Sequence, residues 1–450
     1  MTQTYKKLND SPAMRWTALG VVAFTMMAAY FVNDVVAPLK TILESDLGWS
    51  SREFGFFTGA YSFLNVFLLM LIWGGFILDR FGARFTGKLA ATLMVAGTAL
   101  EYYAMTAMAG STATILGYKS GVMVASAGYA IFGVGAEVAG ITVTKIIAKW
   151  FRGKELATAM GVQVALARIG SQAAYSAAIP LARSFGLTAP VLLGLCLLVG
   201  GLISFFIFSM MDRKLDSQIE QTADTDEEKF SFKDVGSIFT NRGFWLIALL
   251  CVLFYSCVFP FQKFASEFLM NKYGISEQLT GTIAGMPAIG ALFLTPLFGG
   301  YIDKRGRSAS IMALGAAMLI FVHAMYAVPF ITAPAVAVAL MIILGIAFSL
   351  VPSAMWPAVA KIFPQHQLGT AYALIFFIQN IGLLGVPNLI GWILDTFCIT
   401  GTNGAANTYD YTLPELTFTI MAALSLIVAF LLKAADRKYG YHLEEPNIHK

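Results

Sequence analysis

Long apolar segments alternate with short polar ones along almost the whole chain. Twelve segments are long enough for a helix to cross a bilayer, at approximately 15–38, 53–78, 87–108, 119–145, 156–182, 187–211, 243–270, 277–301, 308–330, 334–360, 367–394 and 412–433. A charged segment at 212–235 divides them six and six. The pattern predicts an all-α membrane protein of twelve transmembrane helices, with one six-helix bundle over 1–211, a cytoplasmic linker over 212–240 and a second bundle over 241–450.

Composition agrees with a membrane location. Hydrophobic residues make up 58% of the chain and charged residues 12%, which is about half the charged fraction of a soluble domain. The first apolar segment lacks a small-residue cleavage site behind it, so we interpret it as a retained helix. The four cysteines lack metal-ligand spacing. We therefore expect no metal or cofactor.

The distribution of Lys and Arg predicts the topology. If both termini are cytoplasmic, 23 of the 30 basic residues fall in cytoplasmic segments and five in external ones. This asymmetry is the positive-inside pattern. Because the basic residues are spread over loops and form no patch, they indicate a lipid bilayer as the partner and not a nucleic acid.

The two halves contain an internal repeat. Residues 343–382 align without a gap on 131–170 at an offset of 212, with identities that include Gly133/Gly345 and Gly170/Gly382. A second pair of similar loops, GFILDRFGAR at 75–84 and GYIDKRGR at 300–307, follows the second span of each half. Parallel repeats of six helices are typical of bundles related by an axis along the membrane normal.

These loops resemble a G-x-x-x-D-R-x-G-x-R motif, and on that basis the chain resembles the major facilitator superfamily over essentially its whole length. The motif residues are Gly75, Asp79, Arg80, Gly82 and Arg84, with a degenerate copy at Gly299, Asp303, Lys304, Gly306 and Arg307. The resemblance implies a cytoplasmic latch that stabilises the outward-open state and breaks when the carrier changes conformation. The alternative is that the basic residues of the loop only fix topology.

Two opposite charges lie deep in apolar sequence. Glu137 is 13 residues before the loop residue Trp150, and Arg168 is 13 residues after Glu155. At 1.5 Å per residue, both therefore lie roughly 20 Å above the cytoplasmic ends of adjacent antiparallel helices. They form either a structural ion pair or a joint site for a ligand that carries both charges. The repeat places Ser349 and Asn380 at the corresponding positions, and this asymmetry favours a polar ligand held mainly by the first half.

Other polar and aromatic residues within the spans are candidates for the lining of a substrate site. They are Asp34, Tyr61, Asn65, Tyr255, Trp356, Gln379 and Asn380. For the aromatic members, helix packing is an equally good interpretation. We expect Glu101 to pack between helices and Lys263 to extend its amine toward the external surface.

A narrower resemblance links the segments WFRGKEL, ALARIGS, MWPAVA and HQLGTAYA to the branch of the superfamily typified by a lysosomal dipeptide uniporter. It implies uniport of dipeptides by alternating access. A zwitterionic dipeptide has an ammonium for Glu137 and a carboxylate for Arg168, which can bind it with two parallel hydrogen bonds. The resemblance and the charges thus indicate the same two residues.

Two other functions stay open. One is a proton-coupled carrier of organic anions or amino acids, which would use Arg168 together with Asp34 or Glu137. The other is a non-transporting membrane receptor, although no signalling domain is visible. An enzyme is not expected, because the chain has no catalytic constellation. We further expect a monomer in a prokaryotic inner membrane, because the N-x-S/T sequon at Asn9 falls in a cytoplasmic segment and no dileucine sorting pattern is visible.

Overall fold

The structure is a computed structural model that describes residues 7–151, 154–218, 232–364 and 367–446. Residues 219–231 of the linker that we placed at 212–240 lie outside the described residues. The first half contains α1 (Pro12–Val35), α2 (Lys40–Leu47), α3 (Ser51–Ala60), α4 (Phe63–Phe67), α5 (Met70–Ala107), β1 (Thr114–Ile115), β2 (Tyr118–Lys119), α6 (Ser120–Trp150), α7 (Leu156–Phe185) and α8 (Ala189–Asp216).

The second half has the same order of long helices. It contains α9 (Phe232–Thr240), α10 (Arg242–Tyr273), α11 (Glu277–Arg305), α12 (Ser308–Ala327), α13 (Pro334–Ile362), α14 (Leu368–Phe397), β3 (Ile399–Asn403), β4 (Ala406–Tyr409) and α15 (Thr412–Tyr439). Helices α7 and α14 both begin and end at the offset of 212 residues that the repeat predicts. We call the end that carries α2 and the β3–β4 hairpin the external end, following the predicted topology.

Each of the twelve predicted spans coincides with helix, which confirms the fold class. By length and apolar composition alone, nine helices in the described part of the chain could cross a membrane. Helices α5 and α7 are not among the nine; α5 includes Glu101 in its second part, and α7 is rich in small and polar residues.

The second and third spans differ in detail from the prediction. The segment 53–78 is not one continuous helix, because it is broken into α3, α4 and the first part of α5. Helix α5 then continues past the motif loop, with a sharp kink at Gly82 where φ is 76°. A positive φ favours glycine. The corresponding loop of the second half ends α11 at Gly306, where φ is 72°.

Both long external loops contain strands that the apolar pattern did not predict. The loop at 109–118 leads into the β1–β2 pair, and the loop at 398–415 forms the antiparallel β3–β4 hairpin. These strands are short and mostly polar, so they lack the apolar pattern from which the helices are predicted.

Helices pack closely within each half. In the first half α1 packs against α7 and α8, and α5 packs against α6 and α8; in the second half α12 packs against α13 and α15, and α10 packs against α14 and α15. Glycines permit the closest approaches, as at Gly97, where an added Cβ would lie 2.5 Å from the carbonyl oxygen of Gly128. Small residues at helix contacts are typical of membrane proteins, whose helices associate through close packing.

Two seams join the halves. Helix α3 packs against α14, and α7 packs against α11. The approach is so close that an added Cβ on Gly55 would lie 2.3 Å from the carbonyl oxygen of Pro387, and one on Gly281 would lie 2.2 Å from that of Tyr175. The external end is therefore closed along both seams.

Candidate substrate site

Glu137 is held by a tyrosine from another span. The Tyr61 hydroxyl, at the end of α3, donates a hydrogen bond of 3.0 Å to Glu137 Oε1. Gly133 makes this contact possible, because an added Cβ there would lie only 2.2 Å from the backbone oxygen of Tyr61. A glycine one turn before Glu137 thus lets Tyr61 come against α6.

Arg168 lies between two aromatic rings. The centre of its guanidinium is 5.6 Å from the Tyr30 ring centroid on α1 and 5.0 Å from that of Phe348 on α13. Such distances permit cation–π attraction. Gly170 allows α7 to approach α1, since an added Cβ would lie 2.2 Å from the Met27 carbonyl oxygen. Arg168 therefore contacts both halves of the molecule through rings.

Within the described residues, Glu137 and Arg168 form no ion pair with each other, so the structural ion pair that we left open is absent from this conformation. The repeat-related residues bond within their own helices, with Ser349 Oγ donating to the Gly345 carbonyl and Asn380 Nδ2 to that of Phe376. The first half thus presents two opposite charges at these positions, whereas the second presents neutral side chains that each donate a hydrogen bond within their own helix.

The structure corrects the expectation for Lys263. Its amine does not extend to the surface; it lies 2.9 Å from Asp34 Oδ1 and donates a 2.6 Å hydrogen bond to the Asn33 carbonyl. Both side chains of the ion pair are largely buried. Asp34, a candidate substrate contact, is therefore occupied here by a lysine from the other half. The sequence could not show this partner, because 229 residues separate the two.

The second half contributes an aromatic wall. The predicted residues Tyr255 and Trp356 have ring centroids 6.5 Å apart, and Trp356 stacks on Phe376 at 4.7 Å. Phe348 packs edge-on against Tyr255 at 6.3 Å and thereby connects the wall to Arg168. Sequence reasoning missed Phe348, because the chain has 36 phenylalanines and none stands out by pattern.

For Gln379 and Asn65, two other predicted site residues, the structure shows no contact with Glu137 or Arg168 among the described residues. Gln379 is buried and accepts a weak bond from the Cys251 thiol. Asn65 is also buried, and neither of its amide atoms has a hydrogen-bond partner among the described residues. A cavity of about 410 Å³ between α7 and α11 has Arg168, Gln172 and Phe293 among its lining residues. This volume falls within the range of small-molecule sites.

Charged groups close the external end above these residues. The Lys40 amine contacts both carboxylate oxygens of Glu267, at 2.6 and 2.7 Å, with both side chains fully buried. The Tyr411 hydroxyl also donates to Glu267. Lys40 is on α2 and Glu267 on α10, so this pair joins the halves. In this pair the first half supplies the positive charge, whereas in the Asp34–Lys263 pair it supplies the negative charge.

The cytoplasmic motif makes contacts within its own half. Asp79 lies 3.1 Å from the Lys145 amine of α6, and Arg84 lies 3.1 Å from Asp216 of α8. In the second copy, Arg307 N donates to the Glu444 carbonyl at 3.0 Å. These contacts tie each loop to its bundle.

One more ion pair connects the loop before α7 to α1. Arg15 donates two hydrogen bonds, of 2.8 and 3.0 Å, to the carboxylate of Glu155. These bonds hold the pKa of the Glu155 carboxyl below its ordinary value of 4.5. The positive charge of Arg15 stabilises the ionised form.

Comparison with known sequences supports the resemblance. The sequence model of the Major Facilitator Superfamily matches residues 22–387. The human protein named lysosomal dipeptide transporter MFSD1 is 29% identical over 445 residues, which cover 96% of this chain and 88% of that protein. The hexuronate transporter of Escherichia coli K12 is 22% identical and covers 93% of each chain.

Solved structures with the same fold include two transporters. A bacterial homolog of the human lysosomal transporter Spinster, in an inward-facing and unoccupied conformation, superposes with a TM-score of 0.69 at 15% identity, covering 98% of this chain and 99% of that one. The nucleoside transporter NupG superposes with a TM-score of 0.68 at 15% identity, covering 93% and 99%. At this identity the likeness concerns the fold alone.

Proposed function

Because this chain belongs to the major facilitator superfamily, we propose that it carries small zwitterionic solutes, specifically dipeptides, across the membrane by alternating access and uniport. The relative at 29% identity over 96% of the chain is named as a dipeptide transporter. Family membership makes the chain an integral multi-pass membrane transporter. The substrate class and the transport mode are our proposal.

The observation that carries this proposal is the separation of two opposite charges, Glu137 and Arg168, for which the residue spacing predicts one depth. Glu137 is bonded only to a tyrosine, and Arg168 lies between rings, within the described residues. A charge in the membrane interior is costly unless something pairs with it. The ammonium of a dipeptide would pair with Glu137, and its carboxylate would accept two hydrogen bonds from Arg168.

The remaining lining residues suit the rest of a dipeptide. The wall of Tyr255, Phe348 and Trp356 supplies apolar surface for side chains without selecting one. Tyr61 contacts Glu137, and we propose Asn65, Gln379 and Asn380 as further polar contacts of the ligand. Asp34 would become available only after Lys263 leaves it. The proposed site thus combines fixed charges for the termini with a permissive surface for the side chains.

Movement of the two halves would provide access. We propose that the bundles 1–211 and 241–450 turn against each other about this site, with the linker at 212–240 connecting them. In the conformation described here the external end is closed by Lys40 and Glu267 and by the two seams. The motif loop around Asp79 would close the opposite end in the alternate state.

We further propose that the protein is a monomer in a prokaryotic inner membrane with both termini in the cytoplasm. The distribution of basic residues supports this orientation. A second candidate function is proton-coupled transport of organic anions, which is supported by the similarity to the hexuronate transporter and by the guanidinium of Arg168, which has no carboxylate partner among the described residues.

Uptake into proteoliposomes separates these functions. The purified protein would be given labelled dipeptides, free amino acids and hexuronates, with and without an inward proton gradient. Dipeptide uptake that needs no gradient supports the proposal. Uptake of hexuronates alone, driven by the gradient, would replace it with the second function, and specific binding without uptake would indicate a receptor.

A further inference from the structure

Helix α3 begins with a cap that is complete within its own half except for two N–H groups. Ser50 Oγ accepts from Glu53 N at 3.2 Å, and Glu53 Oε2 accepts from Ser50 N at 3.1 Å, which is a full capping box. The N–H groups of Ser51 and Arg52 remain, since the first N–H groups of a helix have no intrahelical partner.

A carboxylate from the other half accepts hydrogen bonds from both of these N–H groups. Asp395, two residues before the end of α14, accepts from Ser51 N at 3.0 Å and from Arg52 N at 2.6 Å. One turn earlier, Gly391 brings the two backbones together, because an added Cβ would lie 2.3 Å from the Ser51 oxygen. The negative charge also faces the positive end of the helix dipole. The interface between the halves therefore completes the cap of α3.

The β3–β4 hairpin covers this contact. The Tyr409 hydroxyl donates to Glu44 of the first half at 2.8 Å and lies 3.4 Å from Asp395 Oδ1. Asn407 donates to the same Glu44 oxygen through its backbone and its side chain, at 3.1 and 2.8 Å. The hairpin of the second half is thus bonded to the first half beside the capped helix.

The repeat places a second contact in the equivalent position of the other seam. The offset of 212 relates Asp395 to Arg183 at the end of α7. Arg183 binds Glu277, the first residue of α11, through two hydrogen bonds of 2.6 and 3.0 Å. In both seams a charged residue near the end of a long helix binds the first turn of a helix in the other half.

We infer that Asp395 and Arg183 are paired external latches, which hold the external end closed and must both break for the carrier to open outward. Each latch joins the halves along one of the two seams, so a separation of the external ends breaks both. The inference rests on the proposed alternating access and not on the identity of the substrate. Asp395 is a positioning residue that acts through α3.

Spin labels on exposed external positions can report the closure without any substrate. Cysteines would be placed at two exposed residues, Thr112 in the first half and Thr332 in the second, and Cys196, the exposed native cysteine, would be replaced by alanine. Double electron–electron resonance then measures the ratio of long to short distances. Asp395→Asn should raise that ratio about three- to tenfold, as expected when a charged cap is lost.

Asp410→Asn is the matched control. Asp410 accepts from Thr412 N at 2.9 Å and so caps α15 within its own half. The Asp410→Asn variant should leave the distance ratio unchanged, although it also loses a charged carboxylate that accepts from the start of a helix. Arg183→Gln should raise the ratio on its own, and its factor should multiply with that of Asp395→Asn, because distant independent sites are additive in free energy.

An unchanged ratio in Asp395→Asn would overturn the inference, as would an equal rise in Asp410→Asn. Tyr409→Phe keeps Asp395 intact and should give a smaller rise, which provides a test if Asp395→Asn does not fold. Because no dipeptide is present, a carrier with a different substrate would give the same distances. Failure of the proposed substrate class is therefore distinguishable from failure of the latches.

Discussion

Gly133 should be intolerant of even one added methyl group, although it lies in a helix where alanine is normally preferred. Replacement of an interior helix glycine by alanine stabilises by roughly 0.5–1 kcal/mol. At Gly133 the new Cβ would lie 2.2 Å from the backbone oxygen of Tyr61, which real structures do not permit. Tyr61 would have to move by about 1 Å, and overpacking of this kind costs roughly 1–3 kcal/mol.

The same movement would break the bond to Glu137. The Tyr61 hydroxyl is 3.0 Å from Glu137 Oε1, so a retreat of about 1 Å puts it beyond hydrogen-bonding distance. We expect Gly133→Ala to lose about 1–2 kcal/mol of unfolding free energy, measured by titration with sodium dodecyl sulfate in mixed micelles.

Gly161→Ala provides the matched control, because an added Cβ there meets nothing within 4 Å. It should be neutral or stabilising by about 0.5 kcal/mol. Equal unfolding free energies for the two variants would refute the packing of Tyr61 against α6. Tyr61→Phe removes the hydroxyl without moving the backbone and should itself cost about 1–3 kcal/mol, because Glu137 then loses its hydrogen-bond donor.

Three further predictions concern the cytoplasmic side. Asp79→Asn should shift the resting population toward the inward-open state and impair turnover more than folding; unchanged transport together with unchanged accessibility of pocket cysteines would contradict this. A cysteine at Ser217 should react with impermeant reagents only in inverted vesicles, and labelling in intact cells would contradict the topology. Because Arg15 lowers the pKa of Glu155, the stability from this pair is present above the ordinary value of 4.5 and is lost as the pH falls below it. Acid should therefore lower the melting temperature of the parent more than that of Glu155→Gln.

The fold could be predicted from the sequence because the bilayer imposes a simple rule. Each span must satisfy its own backbone hydrogen bonds, so apolar length alone identifies helices. Breaks at Tyr61 and Leu69 were not predictable, as the segment contains neither proline nor a charged turn. The hairpin at 399–409 was not predicted either, because its strands are polar and lie outside the apolar segments from which the elements were predicted.

The site was only partly predictable. Glu137 and Arg168 stand out because charges are rare in apolar segments, and the repeat shows that they are not duplicated. Their surroundings depend on contacts between distant parts of the chain, which no local pattern contains. Lys263 illustrates this limit, because its position near a span end suggested a surface amine, whereas α10 packs against residues 37–39, just after α1, and Lys263 has Asp34 as its partner.

The central claim is that Glu137 and Arg168 bind the two ends of one dipeptide, and the affinities of end-blocked dipeptides test it most directly. Binding of one dipeptide in free, N-acetylated and C-amidated forms would be measured for the parent, Glu137→Gln and Arg168→Lys. The parent should prefer the free form by about ten- to a hundredfold over each blocked form, as a charge-assisted contact of roughly 1.5–3 kcal/mol predicts. Glu137→Gln should lose only the discrimination against acetylation, and Arg168→Lys should weaken binding of the free carboxylate because a point charge replaces the guanidinium fork. Equal discrimination by the parent and Glu137→Gln would contradict the account.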